Sequence, residues 1–405
     1  MLHPGQAAVS FYKSPFKSQP MPNPTISPAI LISPVEDGYV AYDPVQDNLH
    51  QLNPMAALLT ELCDGSRSVA DIQDVVAPLL PEDQIGEVDR WVQEGIKAGL
   101  LVWEGAASSA RELSAPELQK LTKRLRELGK VQTAYICGKK TVALEPENWD
   151  AWYDLGEISQ CVGRREEARS AYQKYFTAHP EDGEIEHLLI ALRDDAPPPR
   201  ASDRAILHIY KTFAASYETR MLDDLKYAGP QRVEDGIKAV IGDRGALRVL
   251  DLGCGSGLSG VMIKPRAASL TGIDLSPEML ELARARNIYD RLEQGEITEW
   301  LGREDTPFDL VMSCDCLIYF GDLGPIVQAA AKRLVPGGIF AMSMERGTRD
   351  PYFLTDTGRY THHPDHVRAV AAGAGLTVAY INEAFLRFEY GDEVMGLYAI
   401  LQKPV

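Results

Sequence analysis

Two short stretches combine glycine with acidic side chains in a pattern that suits a ligand containing a nucleoside. In the first, Val249 to Gly257, a short apolar strand runs into a glycine-rich turn. Glycine allows the backbone to turn tightly and to approach a ligand closely before a helix begins. In the second, Leu270 to Asp274, an apolar strand ends in an acid, and Ser276-Pro277-Glu278 then starts a helix. An acid at the tip of such a strand is placed to bind ribose hydroxyls.

The glycines alone are compatible with two further roles. The run continues to Gly260 as the G-x-G-x-x-G pattern of a dinucleotide site, and glycines in a tight turn can be purely structural. Because the strand ends at Leu252, the run reads Asp251-x-Gly253-x-Gly255-x-Gly257. It resembles the first motif of class I methyltransferases that use S-adenosyl-L-methionine, and Ile273 to Leu280 resembles their second. The resemblance implies an α/β, Rossmann-like domain with S-adenosyl-L-methionine as cofactor.

In that family the cofactor contacts both motifs, the segments after the third and fourth strands, and an aromatic side chain of the preceding helix, here Arg204 to Tyr217. The residues expected to contact it are Asp251, Gly253, Gly255, Gly257, Asp274, Leu275, Met279, Glu296, Ile297, Cys314, Asp315, Tyr210 and Phe213. Family members usually carry tyrosine where this chain has Phe213, and core packing is the alternative role for these aromatics. Asp315 and Tyr319 are expected near the reacting methyl group, because ligands bind at the carboxyl ends of such strands.

A second set of ionisable side chains lies at and after the end of the fifth strand. Glu345 closes that strand, and the run Arg359-Tyr360-Thr361-His362 follows. This Arg-Tyr-x-His pattern resembles predicted methyltransferases that carry tetratricopeptide repeats, which implies a position over the cofactor. We expect His362 to accept a proton, because imidazole titrates near neutral pH, and we place Arg359, Tyr360 and Glu345 with it as catalytic residues. The alternatives are a metal site in His362-His363-x-Asp365-His366 and a plain exposed histidine cluster; no metal is predicted.

The first part of the chain predicts a small winged-helix-like α+β domain. Strand-forming runs at Ile30 to Ser33, Tyr39 to Tyr42 and Asn48 to Leu52 are separated by turn formers, as in an antiparallel meander. Three amphipathic helices follow, and Leu100 to Trp103 forms a returning strand.

This stretch resembles PqqD-like domains, the recognition elements of enzymes that modify ribosomally made peptides. The resemblance rests on three runs, His50-Gln51-Leu52-Asn53-Pro54, Leu62-Cys63-Asp64-Gly65 and Gly99-Leu100-Leu101. It implies that the leader of a precursor peptide adds as a strand to the edge of the meander, with Leu52 and Asn53 in contact. The alternative is a degenerate winged helix used for dimerisation or packing. Asp71 to Leu80 contains no Lys or Arg, which argues against DNA binding.

The middle of the chain contains an internal repeat. Residues typical of a tetratricopeptide repeat are Trp152, Leu155, Gly156, Ala168, Tyr172 and Pro180. Pro146 stands one period earlier, since 180 − 146 = 34. We predict two helical hairpins and a capping helix, which serve as a spacer or as a surface that holds a peptide. The proline run Asp194 to Arg200 is expected to separate domains, because consecutive prolines are stiff and extended.

Composition limits the classes of partner. The chain has 405 residues and a formal net charge of −17, which argues against general binding to nucleic acid or to anionic membranes. Six cysteines without a C-x-x-C pair suit a reducing, cytoplasmic location. No signal peptide or membrane span is apparent. The predicted segments are a flexible arm (1–24), a PqqD-like domain (25–106), a tetratricopeptide segment (112–194), a linker (195–203) and a methyltransferase domain (204–405).

The sequence therefore predicts a methyltransferase that modifies a precursor peptide captured through its leader. Two alternatives remain at this point. One is methylation of a free small metabolite, and the other is a non-catalytic adaptor that binds the cofactor and holds the peptide for a partner enzyme. Neither the acceptor atom nor the oligomeric state follows from the sequence, because this fold supports many chemistries.

Overall fold

The computed structural model describes residues 22–35, 38–81, 84–105, 113–349, 351–389 and 392–405. They form two compact units. The N-terminal unit comprises the described residues up to 125 together with 132–145, and the C-terminal unit comprises 126–131 and 146–405. Among the described residues, no helix has the length and apolar character needed to cross a membrane.

The N-terminal unit contains two small antiparallel sheets and five helices. Its elements are β1 (Pro24–Ile26), β2 (Leu31–Val35), β3 (Gly38–Asp43), β4 (Asn48–Leu52), α1 (Pro54–Leu62), α2 (Val69–Val76), α3 (Glu87–Lys97), β5 (Leu101–Trp103) and most of α4 (Ala115–Glu127) and α5 (Val131–Leu144). One sheet has the order β2-β3-β4, and β1 pairs with β5. The meander, the three helices and the returning strand are confirmed. Most of the predicted arm lies outside the described residues, but Pro24 at its end belongs to β1.

The two side chains predicted to touch a peptide both have structural roles in the N-terminal unit. Leu52 is buried in the core of the N-terminal unit. The Asn53 side chain caps α1 by accepting a hydrogen bond from the backbone N–H of Ala56 at 2.9 Å. The predicted peptide contact is therefore corrected for the buried Leu52 side chain, while that of the exposed Asn53 stays a prediction.

The second helical hairpin and the helix after it belong to the C-terminal unit. They are α6 (Trp149–Cys161), α7 (Arg165–Ala178) and α8 (Gly183–Ala191). Gly156 of α6 lies against the ring of Tyr172 in α7, which brings the two helices close together. The helices occur where the 34-residue period predicts them. The division into units nevertheless runs through the predicted segment 112–194, because the first hairpin lies mostly in the other unit.

The rest of the C-terminal unit is built on one mixed sheet of nine strands with the path β11-β12-β10-β9-β6-β7-β8, in which β14 pairs with both β10 and β13. Its strands are β6 (Leu247–Leu252), β7 (Ala267–Asp274), β8 (Arg291–Gln294), β9 (Phe308–Ser313), β10 (Leu334–Arg346), β11 (Tyr352–Leu354), β12 (Tyr360–His362), β13 (Thr377–Glu389) and β14 (Asp392–Gln402). Its helices are α9 (Asp203–Phe213), α10 (Tyr217–Thr219), α11 (Gly229–Ile241), α12 (Leu258–Ile263), α13 (Pro277–Ala285), α14 (Ile297–Arg303), α15 (Gly324–Arg333) and α16 (Pro364–Gly373).

Strands β10, β9, β6, β7 and β8 are parallel, and β13 and β14 form an antiparallel pair. β6 and β9 are nearly continuous apolar runs and are buried along almost their whole length, as expected for strands covered on both faces. The Rossmann-like fold predicted for this region is confirmed.

The predicted linker, residues 195–203, packs against the sheet domain and does not separate two bodies. The carbonyl of Pro198 accepts a hydrogen bond from the Tyr360 hydroxyl at 2.7 Å. The carbonyl of Pro199 accepts from the backbone N–H of Gly321 at 2.8 Å, and Ala201 is fully buried.

The helical hairpin is also fixed to the sheet domain within the C-terminal unit. The His187 ring of α8 is bonded through Nε2 to the carbonyl of Gly358 at 2.8 Å, and Arg165 of α7 is paired with Asp356 at 3.1 Å. Ala191 shares a small apolar cluster with Tyr360 of β12. Hairpin, linker and sheet therefore form one structure.

The contact at Gly156 gives a prediction for stability. A Cβ atom there would lie 2.4 to 2.9 Å from atoms of the Tyr172 ring, so Gly156→Ala should destabilise the protein by about 1–3 kcal/mol. The matched control is Gly302→Ala in α14, where no atom lies within 4 Å of the added carbon. That change should be neutral or stabilising by up to about 1 kcal/mol. Thermal unfolding followed by circular dichroism checks both, and equal melting temperatures would contradict the packing.

Candidate active site

A cleft of about 600 Å³ opens at the carboxyl ends of β6, β7 and β9. β6 has β7 on one side and β9 on the other, so the chain order reverses there, and such points form ligand crevices in open α/β sheets. The cleft is lined by Arg200, Ile206, Tyr210, Tyr217, Gly253, Gly255, Asp274, Leu275, Met279, Gly295, Glu296, Ile297, Cys314, Asp315, Cys316, Tyr319 and Phe320. Ten of the thirteen residues predicted to contact the cofactor are among them.

The glycine turn needs glycine for two physical reasons. Gly253 and Gly255 have φ angles of 67° and 55°, in the left-handed region that other residues avoid. A Cβ on Gly253 would also lie 2.3 Å from Sγ of Cys316. The turn therefore keeps its backbone close to the cleft.

Two carboxylates of the cleft, the half-buried Asp274 and the buried Glu296, retain capacity to accept hydrogen bonds. Asp274 accepts from the backbone N–H groups of Gly255 at 2.8 Å and Ser276 at 2.9 Å, one on each oxygen, and burial raises its pKa. Glu296 caps α14 through one oxygen, and its Oε1 is buried without a hydrogen-bond partner in the part of the chain that is described. Both suit a ligand that brings hydroxyl or amino donors.

Three residues predicted to contact the cofactor do not line this cleft. Asp251 lies beneath the turn, where it accepts hydrogen bonds from Ser259 at 2.9 Å and Tyr289 at 2.8 Å, and burial raises its pKa to about 6. Gly257 starts α12 with a φ of 88°, and Phe213 lines a neighbouring cavity. Asp251 and Gly257 therefore support the conformation of the glycine turn without lining the cleft.

That neighbouring cavity has a volume of about 950 Å³ and meets the cleft at four shared residues. It is lined by Tyr210, Phe213, Tyr217, Arg220, Met221, Leu225, Asp315, Ile318, Tyr319, Arg359, Arg387 and Glu389. The residues common to both are Tyr210, Tyr217, Asp315 and Tyr319. We call this space the acceptor cavity.

A buried network of ion pairs forms one wall of the acceptor cavity. Arg387 of β13 donates to Asp315 at 3.1 Å and also bonds Glu345 of β10. Arg359 donates to Glu345 at 2.8 Å and pairs with Glu389. The Arg387 side chain is only 5% exposed, so these charges depend on one another for compensation.

The structure brings only some of the four predicted catalytic residues to the acceptor cavity. Arg359 lines the acceptor cavity, while Glu345 is buried between two arginines and reaches the cavity only through them. The Tyr360 hydroxyl is bonded to the linker. His362 is fully buried and bonded through Nε2 to the carbonyl of Phe320 at 2.8 Å.

The role of His362 as a proton acceptor over the cofactor is corrected. Burial lowers the pKa of His362 to about 4, with His366 adding to the effect. Its ring stacks on that of His366 at 5.9 Å, which is a packing role. Among the described residues no group of three His, Cys, Asp or Glu side chains is arranged to hold a metal.

A third cavity, of about 1160 Å³, continues from the acceptor cavity, with Arg359 and Glu389 lining both. Its other lining residues come largely from the helical hairpin, α8 and β14, and include Tyr153, Glu157, Tyr172, Glu184 and Val394. The three cavities thus follow one another from the glycine turn to the hairpin.

Sequence reasoning missed several residues of the site. Arg387 stands in a strand with no motif, and Tyr289 lies outside both motifs, so neither carried a local signal. Cys316 has no role in the predicted motifs, yet it fills the space beside Gly253. Tyr217 lines the cleft. The sequence signal that could have identified it is its place in the same predicted helix as Tyr210 and Phe213.

Residues 249–338 match the family described as "Methyltransferase domain". The chain contains a methyltransferase domain. This domain is of the class I, S-adenosylmethionine-dependent type, in agreement with the predicted motifs. The match covers β6 to the first part of β10, which includes most of the cofactor cleft.

The curated relatives match about a quarter to a third of this chain. The chain is 32% identical over 115 residues to the ubiquinone biosynthesis O-methyltransferase of Xylella fastidiosa, covering 27% of this chain and 47% of that protein. It is 32% identical over 148 residues to the enzyme of the same name from Xanthomonas oryzae, covering 33% and 62%. The chain thus spans about half to three fifths of the length of these relatives.

Solved structures are similar at low identity. One is 1,6-didemethyltoxoflavin-N1-methyltransferase of Burkholderia thailandensis, at 20% identity and a TM-score of 0.41, covering 52% of this chain and 93% of that one. Another is magnesium protoporphyrin IX methyltransferase of Synechocystis, at 14% identity and a TM-score of 0.40, covering 50% and 100%.

The residues of the methyltransferase domain fit S-adenosylmethionine. Asp274 and the unpartnered Oε1 of Glu296 can accept hydrogen bonds from hydroxyl and amino groups, and the glycine turn leaves room beside them. These residues, with Met279 and Ile297 as apolar walls, would hold the cofactor.

Asp274 gives a prediction for binding. Asp274→Asn should weaken S-adenosylhomocysteine binding by at least about tenfold, because hydrogen bonds to a charged group contribute about 1.5–3 kcal/mol each. Isothermal calorimetry measures the affinity. Asp309→Asn, at the opposite end of β9, should bind with wild-type affinity; an unchanged affinity in Asp274→Asn would contradict the assignment.

Asp251 gives a prediction for pH. Its pKa is raised to about 6 in the folded protein, so the folded state binds more protons than the unfolded state between about pH 4 and pH 6. Its contribution to stability is therefore largest at low pH and is lost as the pH rises through that window. We therefore compare the free energy of unfolding of the wild type with that of Asp251→Asn. The value for the wild type minus the value for the variant should fall by up to about 3 kcal/mol from pH 4 to pH 7. Urea unfolding at stepped pH checks this, and a rising difference would refute it.

Proposed function

We propose that the protein transfers the methyl group of S-adenosylmethionine to an acceptor that occupies the acceptor cavity. The observation that carries the proposal is the meeting of this cavity with the cofactor cleft at Tyr210, Tyr217, Asp315 and Tyr319. When bound, the cofactor supplies an electrophilic methyl group on a good leaving group. What the protein has to do is position the acceptor in line and exclude water. The aromatic side chains and the arginine wall of the acceptor cavity suit that task.

We further propose that the acceptor belongs to a ribosomally made precursor peptide held by the N-terminal unit. Within the described residues β4 pairs with β3 alone, so one of its edges is available for an added strand. The third cavity also supports an extended acceptor, because it continues the acceptor cavity toward the hairpin. Tethering would raise the local acceptor concentration to roughly the millimolar range.

A second candidate is a hydroxyl group of a free small molecule. The curated relatives, named ubiquinone biosynthesis O-methyltransferases, favour it. They match 27% and 33% of this chain, and this hypothesis gives the N-terminal unit no part in binding the acceptor. On this hypothesis that unit would serve association or packing.

The deciding experiment is a labelling screen. The full chain is incubated with S-adenosylmethionine carrying an isotope-labelled methyl group, and with synthetic peptides encoded beside its gene, catechol or tyramine. Mass spectrometry should find the label in one peptide. Label only in catechol or tyramine would favour the small-molecule candidate. Cofactor binding by calorimetry without any transfer would favour a non-catalytic adaptor.

The peptide proposal has its own test in β4. Leu49 is 47% exposed on this edge strand, and Val45 is 60% exposed in the turn before it. Leu49→Asp should raise the KM for the labelled peptide by about tenfold or more and leave S-adenosylhomocysteine affinity unchanged, because a charge disfavours apolar contacts of an added strand. Val45→Asp is the matched control with wild-type KM. Equal KM values in both variants would argue against capture at β4.

A further inference from the structure

Asp315 holds an unusual position between the cofactor cleft and the acceptor cavity. It follows the end of β9 by two residues and adopts a φ of 56°, a left-handed conformation that is uncommon for residues other than glycine. Its backbone N–H donates to the Ser343 hydroxyl of β10 at 2.9 Å. Strained backbone of this kind persists where the surrounding structure enforces it, often at functional sites. The result is a carboxylate that lines both cavities.

The two oxygens of Asp315 have different surroundings. Oδ2 accepts a hydrogen bond from Arg387 at 3.1 Å. Oδ1 is buried and has no hydrogen-bond partner among the residues that the structure describes, and the side chain as a whole is only 8% exposed. A buried acceptor left unsatisfied costs about 1–3 kcal/mol or more. Oδ1 is therefore ready to receive a donor from a molecule bound at the junction of the two cavities.

The charge of the surrounding network indicates what that donor brings. Two arginines, Arg359 and Arg387, face three carboxylates, Asp315, Glu345 and Glu389. The cluster thus carries one net negative charge, and uptake of one proton brings it to neutrality. Within Asp315, Arg387 fixes Oδ2 and leaves Oδ1 as the oxygen that can take a proton.

We propose that Asp315 is the base of the methyl transfer, removing a proton from a hydroxyl or amino group of the acceptor, and that Arg387 is its positioning residue. This inference rests on the proposed function. The acceptor atom forms a bond to the methyl carbon with its lone pair and displaces the sulfur, which keeps the electron pair of the bond that breaks. The proton of the acceptor passes to Oδ1 and leaves a neutral carboxylic acid.

The neighbours of Asp315 set the direction of the pH dependence. Burial raises the pKa of Asp315, Arg387 and Arg359 oppose this, and Glu345 and Glu389 add to it. The charged and titratable groups that face it are Arg387, Arg359, Glu345, Glu389, Tyr217, Tyr227, Tyr319, Tyr398 and Cys314. Because the carboxylate is the active form, the methylation rate should fall as the pH drops through this raised pKa.

The first variant is Asp315→Asn in the full chain. Asparagine tolerates the left-handed conformation as aspartate does, so the backbone is kept while the base is lost. With whichever of the peptide, catechol and tyramine takes up most label, the rate should fall by roughly 100-fold or more. S-adenosylhomocysteine affinity, measured by calorimetry, should stay within about threefold of wild type. A tenfold weaker affinity would overturn the proposal, because Oδ1 would then be holding the cofactor. Asp235→Asn, exposed on α11, is the control with wild-type rate and affinity.

A second measurement needs no acceptor and separates this inference from the proposed function. Infrared difference spectra between wild type and Asp315→Asn at stepped pH isolate the ionisation of this carboxyl. In the wild type we expect the Asp315 carboxyl to titrate above the ordinary range of aspartate. In Arg387→Gln its pKa should rise further, because the positive charge is lost. In Arg387→Lys, which keeps the charge, its pKa should stay near that of the wild type. Titration below the ordinary range would overturn the role of Asp315 even if a labelled product is found. An unchanged titration in a folded Arg387→Gln would overturn the role of Arg387.

Discussion

Four carboxylates stand at or just beyond the carboxyl ends of four adjacent parallel strands, and the need to compensate their charges governs the architecture of the site. In sheet order they are Glu345 (β10), Asp315 (β9), Asp251 (β6) and Asp274 (β7). Parallel strands bring these ends to one edge, where burial and a neighbouring carboxylate both disfavour the ionisation of Asp251 and Asp315. Each carboxylate is compensated differently: Asp251 by two hydroxyls, Asp274 by two backbone N–H groups, and the other two by a shared arginine. That difference gives each acid its own role.

The sequence predicted those parts of the site whose local conformation carries the signal. The glycine turn after β6 and the acid at the end of β7 were identified because a left-handed backbone and a strand-to-helix start require particular residue types. Asp274, Glu296 and Asp315 line the cleft as expected. The strand pattern of the sheet followed from continuous apolar runs, which buried parallel strands need.

The residues that were missed or misassigned depend on contacts between distant segments. His362 belongs to a run that resembles a catalytic motif, but its ring is buried and bonded to the carbonyl of Phe320, 42 residues away. Arg387 lies in a strand whose residue pattern indicates only that the strand is half-buried. Its role in the site depends on its ion pair with Asp315, 72 residues earlier in the chain. No periodicity reveals such pairs, because periodicity reports the face on which a side chain lies and not what faces it.

The linker illustrates the same limit through composition. A proline run predicts stiffness, and the structure uses that stiffness to hold the hairpin against the sheet domain. Proline has no backbone N–H, so residues 197–199 present carbonyl acceptors without donors that would have to be satisfied. The carbonyl of Pro198 accepts a hydrogen bond from the Tyr360 hydroxyl, and the carbonyl of Pro199 accepts hydrogen bonds from the backbone N–H groups of Gly321 and Asp322. Those partners belong to β12 and to the loop after β9, which border the acceptor cavity. A segment whose composition predicts separation therefore fixes the hairpin beside the acceptor cavity.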